Sequence, residues 1–183
     1  ITNRLEAAII PWRSHRPSRS LRDEPANGTL LTLSALAHPH WNVHPAKFDV
    51  THALMFALDT DLIRAQLLTE IVYRQKDMRL STFDEIKPEM QERITYMLGE
   101  KYSKLRNWLN EYRETPPQPL DFFLRKFFGE VLSQPEYGFH RNMDAVRVAA
   151  SLIESIKKFR YAMEPSMTNQ TGREDRSGFD LGR

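Results

Sequence analysis

The sequence predicts an all-α protein, a single domain of about six to seven helices with a short extended segment near its N-terminus. Every strongly periodic apolar segment repeats at helical spacing, and none alternates as a half-buried strand would. The 183 residues can bury one core without disulfides, and the absence of cysteine is compatible with the cytoplasmic location that we expect. We predict a helical domain over residues 1–163, with a basic N-terminal segment at 10–25, and a disordered polar tail over 164–183.

The first part of the chain contains two short elements and one long helix. Residues 2–9 follow a helical pattern that the next proline ends, and residues 10–15 have the composition of a short strand. Asp23 or Glu24 then caps a helix that has a proline in its first turn and ends near His38.

Acidic residues mark the starts of the next two helices. We expect Asp49 to cap the first of them and Asp61 to cap the second. Residues 74–87 are polar and irregular, and a single helical turn is expected at 82–86.

The longest helical run extends from 88 to about 113, and Gly99 inside it marks a kink or a break. Its charged residues, among them Lys104 and Arg106, have the pattern of a solvated face. A proline-rich linker at 115–119 precedes the most regularly patterned helix of the chain. The apolar residues of that helix follow helical spacing from its first turn to its last: Leu120, Phe123, Leu124, Phe127, Phe128, Val131 and Leu132.

The last helix is predicted to begin near Asn142, after a turn at 135–139, and to end near Met163. A stripe of apolar residues along it is expected to face the core: Val146, Ala149, Leu152, Ile153, Ile156 and Phe159.

The basic N-terminal segment carries the strongest indication of a binding site. No acidic residue lies between its first and last arginine, and guanidinium groups bind phosphate in a bidentate manner. The alternative is a solvated loop whose arginines pair with acids elsewhere. The formal net charge of the whole chain is only +2, so the basicity is local. The candidate nucleic-acid-binding residues are Trp12, Arg13, His15, Arg16, Arg19 and Arg22.

The sequence contains no recognisable catalytic motif. Its glycines do not form a P-loop or a dinucleotide fingerprint, so we expect no cofactor in this chain. No serine lies in a nucleophile elbow. The acidic pairs Asp59 with Asp61 and Asp84 with Glu85 have the positions of helix caps and first-turn acids.

Histidine clustering raises the question of a metal site. Imidazole is a common metal ligand, but no carboxylate-bearing metal motif accompanies the histidines, so we predict no metal. A histidine near a helix C-terminus instead interacts with the free carbonyls there. The clustered residues are His38, His40, His44 and His52.

The phenylalanines of the 120–132 helix allow two interpretations. A stripe at helical spacing is usually core, and Phe122 lies off that stripe, so it is expected to be the most exposed. The alternative function is therefore a helical protein–protein interaction module unrelated to DNA, with Phe122 and the linker at 116–119 near its contact surface.

Three short patterns near the N-terminus lie in a fixed order. They are Leu5-Glu6-x-x-x-Ile10-Pro11-Trp12-Arg13, Leu21-x-Asp23-x-Pro25 and Leu30-Leu31-x-Leu33-x-x-Leu36. Together they resemble the start of the accessory domain of superfamily I DNA helicases of the UvrD/Rep type, and the equivalent part of related helicase–nuclease recombination proteins. Later runs that begin at Asp61, Gly99 and Phe128 also look like bacterial members of this kind.

The resemblance implies a role in DNA repair or recombination. In this family the corresponding segment leaves a motor lobe as a strand, passes through a basic or aromatic loop and starts the first helix of an inserted helical domain. The chain would then be a non-catalytic piece of an ATP-dependent DNA helicase that contacts DNA or regulates the motor. ATP and magnesium would belong to the motor lobes outside this chain. The implied partners are DNA and the rest of the helicase, with no membrane.

Overall fold

A computed structural model describes residues 24–98 and 100–163 of the protein. The described residues form eight α-helices and one small hairpin, so the prediction of an all-α fold is confirmed. The predicted helix at 2–9, the strand at 10–15 and the tail at 164–183 lie outside the described residues. The helices are α1 (Pro25–Ala37), α2 (Lys47–Ala57), α3 (Leu62–Val72), α4 (Pro88–Leu98), α5 (Lys101–Arg113), α6 (Leu120–Phe127), α7 (Gly138–Arg141) and α8 (Met143–Met163).

Helix α1 is the central helix of the fold. It packs against α2, α5, α6 and α8, and most of its side chains are buried. Glu24 is its N-cap residue and Pro25 lies in its first turn, as the sequence predicts, although the Glu24 side chain makes no capping hydrogen bond. A helix with partners on several sides needs apolar or small residues around its circumference, which is why α1 has little polar surface.

A single apolar core joins all eight helices. The predicted stripe of α6 is part of it: Phe123, Leu124 and Phe127 are buried, and Phe128 packs against it from a partly buried position. Phe122 is 48% exposed, so the expectation that it would be the most exposed phenylalanine of this helix is confirmed.

A two-stranded antiparallel hairpin interrupts the helices, which the sequence did not predict. Strand β1 (Tyr73–Arg74) pairs with β2 (Arg79–Leu80), and strands of two residues are too short for alternation to show. The helical turn expected at 82–86 is present as a 3-10 turn at Phe83–Glu85. The buried Tyr102 of α5 donates a hydrogen bond of 2.9 Å to the Ser81 carbonyl and so ties the hairpin to the helices.

Several predicted boundaries and faces need correction. The run from 88 to 113 divides where a break was expected, because one helix ends at Leu98 and the next begins at Lys101. Asp49 is not the cap of α2: the helix begins at Lys47, and the Asp49 carboxylate reaches back to the backbone N–H of residue 46 at 3.3 Å. Arg106 is buried and not on a solvated face.

The last part of the chain differs from the prediction in three places. A π-helical turn at Phe128–Leu132 ends the helix that begins at Leu120. The predicted turn is present at 135–137, but its last two residues already belong to the short helix α7. Helix α8 begins as predicted, since the Asn142 side chain accepts a hydrogen bond from the N–H of residue 145 at 3.0 Å. Phe159 is 69% exposed, so its predicted place in the core is wrong: at this end of α8 the side chain directed towards α6 is that of the next residue, Arg160, which pairs with Asp121.

Candidate functional site

The predicted nucleic-acid-binding residues lie outside the part of the chain that the structure describes. These residues are Trp12, Arg13, His15, Arg16, Arg19 and Arg22. The structure describes the helix that follows them. Helix α1 begins at Pro25, at the end of the basic segment, and Ala26 in its first turn is already buried in the core.

A groove runs along the outer face of α1 beside the start of that helix. One part has a volume of about 530 Å³ and lies between α1 and the chain before α2, where Val43 forms part of its wall. A second part of about 300 Å³ continues along α1 to Glu24. Gly28 and Thr32 line both parts, because residues four apart share one face of a helix and these two are small. The exposed Phe48 forms a rim of the second part.

Of the four clustered histidines, His38 has a structural role. Its Nδ1 lies 2.8 Å from the Ser34 carbonyl oxygen and its Nε2 lies 3.1 Å from the Tyr112 hydroxyl. A carbonyl only accepts, so Nδ1 carries the proton and Nε2 accepts from the hydroxyl. The ring stacks on Trp41 with centroids 4.1 Å apart and contacts Phe123 edge-on. Burial lowers the pKa of His38, outweighing the hydrogen bond to the Ser34 carbonyl, which raises it.

This geometry confirms the interpretation of His38 as a helix-end residue bonded to a free carbonyl. Because both ring nitrogens are engaged, His38 has no lone pair available for a metal. His40 packs edge-on against His38, while His44 and His52 line the two parts of the groove. Within residues 24–98 and 100–163, no group of histidine, cysteine and acidic side chains has the arrangement of a metal site.

The acidic pairs act in structure. Asp61 caps α3 by accepting a hydrogen bond of 2.9 Å from the Arg64 N–H, as predicted. Asp59 forms an exposed ion pair of 2.7 Å with Arg141. Glu85 pairs with arginines of both hairpin strands, at 2.6 and 3.6 Å. These carboxylates therefore hold turns and connections in place.

The π-helical turn positions one further polar contact. Glu130, in that turn, accepts a hydrogen bond of 2.7 Å from the Trp108 indole, and a shallow pocket of about 200 Å³ lies beside the pair. π-Helical turns are frequent at functional sites, but here the turn has a packing explanation, since it brings Val131 and Leu132 into the core.

A surface near the end of α8 was missed by sequence reasoning. The run Lys157-Lys158-Phe159-Arg160-Tyr161 alternates basic and aromatic residues, a signal that is readable in the sequence. The Arg160 guanidinium forms two hydrogen bonds to the Asp121 carboxylate, at 3.0 and 3.2 Å, and lies 5.1 Å from the Phe122 ring centroid. The fold adds Phe122, which belongs to α6 and is separated from this run in the sequence by the π-helical turn and α7.

Comparison of the chain with protein-family models, with curated proteins and with solved structures found no match. Within the described residues, every helix is too short or too polar to cross a lipid bilayer.

Proposed function

We propose that this chain is a non-catalytic accessory domain of a DNA helicase of the UvrD/Rep type or of a related recombination protein. It contacts DNA or regulates the motor through the part of the basic N-terminal segment from Arg13 to Arg22. The proposal places the protein in the cytoplasm and assigns ATP and magnesium to motor lobes outside this chain.

The observation that carries the proposal is the position of α1. The resemblance implies a basic loop that passes directly into the first helix of an all-α body, and α1 begins at Pro25, directly after the basic segment. Because α1 packs against α2, α5, α6 and α8, it connects the basic segment directly to four other helices of the described body.

The DNA contact is tested by fluorescence anisotropy of the full chain with labelled duplex and single-stranded DNA over a salt series. Each arginine that neutralises a phosphate adds about 0.9 to the salt slope on duplex DNA, so the Arg16→Ala, Arg19→Ala double variant is expected to reduce that slope by about 1.8. The matched control is Arg93→Ala with Arg147→Ala, which removes two exposed arginines elsewhere and is expected to leave the slope unchanged.

Equal binding by the wild type and the Arg16, Arg19 variant would refute the DNA contact. The regulatory role is then tested in the polypeptide that carries the domain, by deleting residues 25–163 and measuring DNA-stimulated ATP hydrolysis. A change in that rate supports regulation, and an unchanged rate refutes it.

A second candidate function is a helical protein–protein interaction module unrelated to DNA. The observation that favours it is the groove along α1, whose rim carries the exposed Phe48 and Val43, together with the exposed Phe122. Hydrogen exchange of the protein with and without a co-purified partner tests it. Protection of α1 and α2 upon binding supports this function, and protection confined to the basic segment counts against it.

A further inference from the structure

The last turns of α8 carry aromatic side chains that the core does not use. Tyr161 is 51% exposed, and across from it on α6 Phe122 is 48% exposed. What sets these two rings apart from other exposed rings, such as Phe48 and Tyr96, is that both lie against one guanidinium group.

Arg160 fixes these two rings in place. Its guanidinium lies 5.1 Å from the Phe122 ring centroid and 4.6 Å from the Tyr161 ring centroid. The guanidinium is in turn held by the buried Asp121, whose side chain is 2% exposed. An arginine held at both oxygens of a buried carboxylate has little freedom, so the rings are positioned before any ligand arrives.

Two lysines complete the surface. Lys157 and Lys158 lie four and three residues before Tyr161, so they neighbour it on the helix. Lys158 is exposed, and the side chain of Lys157 is 35% exposed with a long contact of 3.8 Å to Glu154. Cations near a helix C-terminus also interact favourably with the helix dipole, but that effect does not account for the exposed rings.

We propose that this aromatic–basic surface (Phe122, Lys157, Lys158, Arg160 and Tyr161) binds single-stranded nucleic acid. Unpaired bases stack on the rings and the lysines neutralise the adjacent phosphates. A duplex offers phosphates but covers its base faces, so the rings select the single strand. The inference rests on the proposed function in that the ligand is DNA, but its residues lie outside the basic N-terminal segment.

The test of the rings measures binding of the full chain to labelled oligo(dT) of about 16 nucleotides, the upper site size of single-strand-binding domains. Tyr161→Ala and Phe122→Ala are each expected to weaken binding about fivefold or more, and Tyr161→Trp is expected to retain it. The matched control is Tyr96→Ala, which removes the 92% exposed ring of α4 and should leave binding unchanged. Arg160 is not varied, because it neutralises the buried Asp121.

The test of the lysines is the salt dependence of the same binding. The Lys157→Gln, Lys158→Gln double variant is expected to reduce the slope of log K against log salt by about 1.4, the value for two single-strand phosphates. Lys76→Gln with Lys87→Gln is the control, since both residues are exposed and lie elsewhere on the surface. Circular dichroism melting of every variant shows whether the fold is retained.

The outcomes separate this inference from the proposed function. Unchanged oligo(dT) binding by the Tyr161 and Phe122 variants would overturn the inference, even if the Arg16, Arg19 variant loses duplex binding. Loss of oligo(dT) binding in the ring variants supports the inference even if the Arg16, Arg19 variant behaves as the wild type. Competition by polyglutamate equal to that by oligo(dT) would assign the surface to an acidic protein and overturn the nucleic-acid proposal.

Discussion

Replacement of His38 by glutamine tests how the end of α1 is held in the core. The imidazole bonds to the Ser34 carbonyl at 2.8 Å and to the Tyr112 hydroxyl at 3.1 Å, and it stacks on Trp41. Glutamine offers a donor and an acceptor but no ring and no titration. We expect the free energy of unfolding at pH 8 to fall by about 1–2 kcal/mol, from the lost ring contacts and poorer hydrogen-bond geometry.

The pH dependence of stability gives the sharper test of His38. Burial lowers its pKa in the folded state below the ordinary 6.5, so near and below pH 6.5 the unfolded chain binds a proton that the folded chain does not. The contribution of neutral His38 to the free energy of unfolding is therefore complete above pH 6.5. It is lost as the pH falls from 6.5 towards the lowered pKa, at up to about 1.4 kcal/mol per pH unit, and the loss levels off below that pKa.

Urea denaturation from pH 8 to 5 measures this difference. Other groups titrate in the same range, so the informative quantity is the difference between the wild type and His38→Gln. That difference is expected to shrink as the pH falls, because only the wild type loses stability through His38. The matched control for the loss of an imidazole is His52→Gln, at an exposed histidine of α2 whose ring contacts the exposed Phe48. A constant difference between wild type and His38→Gln over the whole range would refute the assignment of a buried, neutral His38.

Three further substitutions test the connections between helices by thermal and urea unfolding. Arg160→Met is expected to cost about 3 kcal/mol because it leaves the buried Asp121 carboxylate unpaired, and a cost under about 0.5 kcal/mol would contradict that pairing. Gly138→Ala is expected to cost about 1–3 kcal/mol because its methyl group would overlap the Phe56 carbonyl oxygen. Wild-type stability of this variant would show that α7 can move away from α2 at no cost. Asp61→Ala removes the cap of α3 and should cost about 1 kcal/mol. An unchanged unfolding midpoint would show that this capping hydrogen bond does not stabilise the protein.

The starts and ends of helices were predictable where a single residue determines the local backbone structure. The carboxylate of Asp61 satisfies a free N–H of its own helix, and proline at position 25 is compatible with only the first helical turn. The break between Leu98 and Lys101 follows from a glycine whose backbone entropy disfavours a helix interior. In each case the physical cause lies within a few residues of its effect, so a single sequence contains it.

The missed features depend on residues that are distant in sequence. A charge pattern places Arg106 on the outside of its helix, but Arg106 lies one turn after the buried Tyr102 and is itself buried on that face. A spacing pattern places Phe159 on the inside, but at this position of α8 the side chain that meets α6 is that of Arg160. Periodicity predicts which side of a helix is apolar, and it contains no information about which part of that side a neighbouring helix covers.

The aromatic–basic surface could not be predicted from the sequence either, because its residues come from two helices that are distant in the chain. A basic run at a helix end is ordinarily a dipole effect, and an isolated exposed phenylalanine requires no explanation. The Asp121–Arg160 pair changes both interpretations, because it brings Phe122 to the run and holds a guanidinium between two rings. A pair needed only to join α6 to α8 could have been replaced by apolar side chains of similar volume without loss of stability. A buried carboxylate that instead orients an arginine beside two half-exposed rings is better explained by what those rings bind.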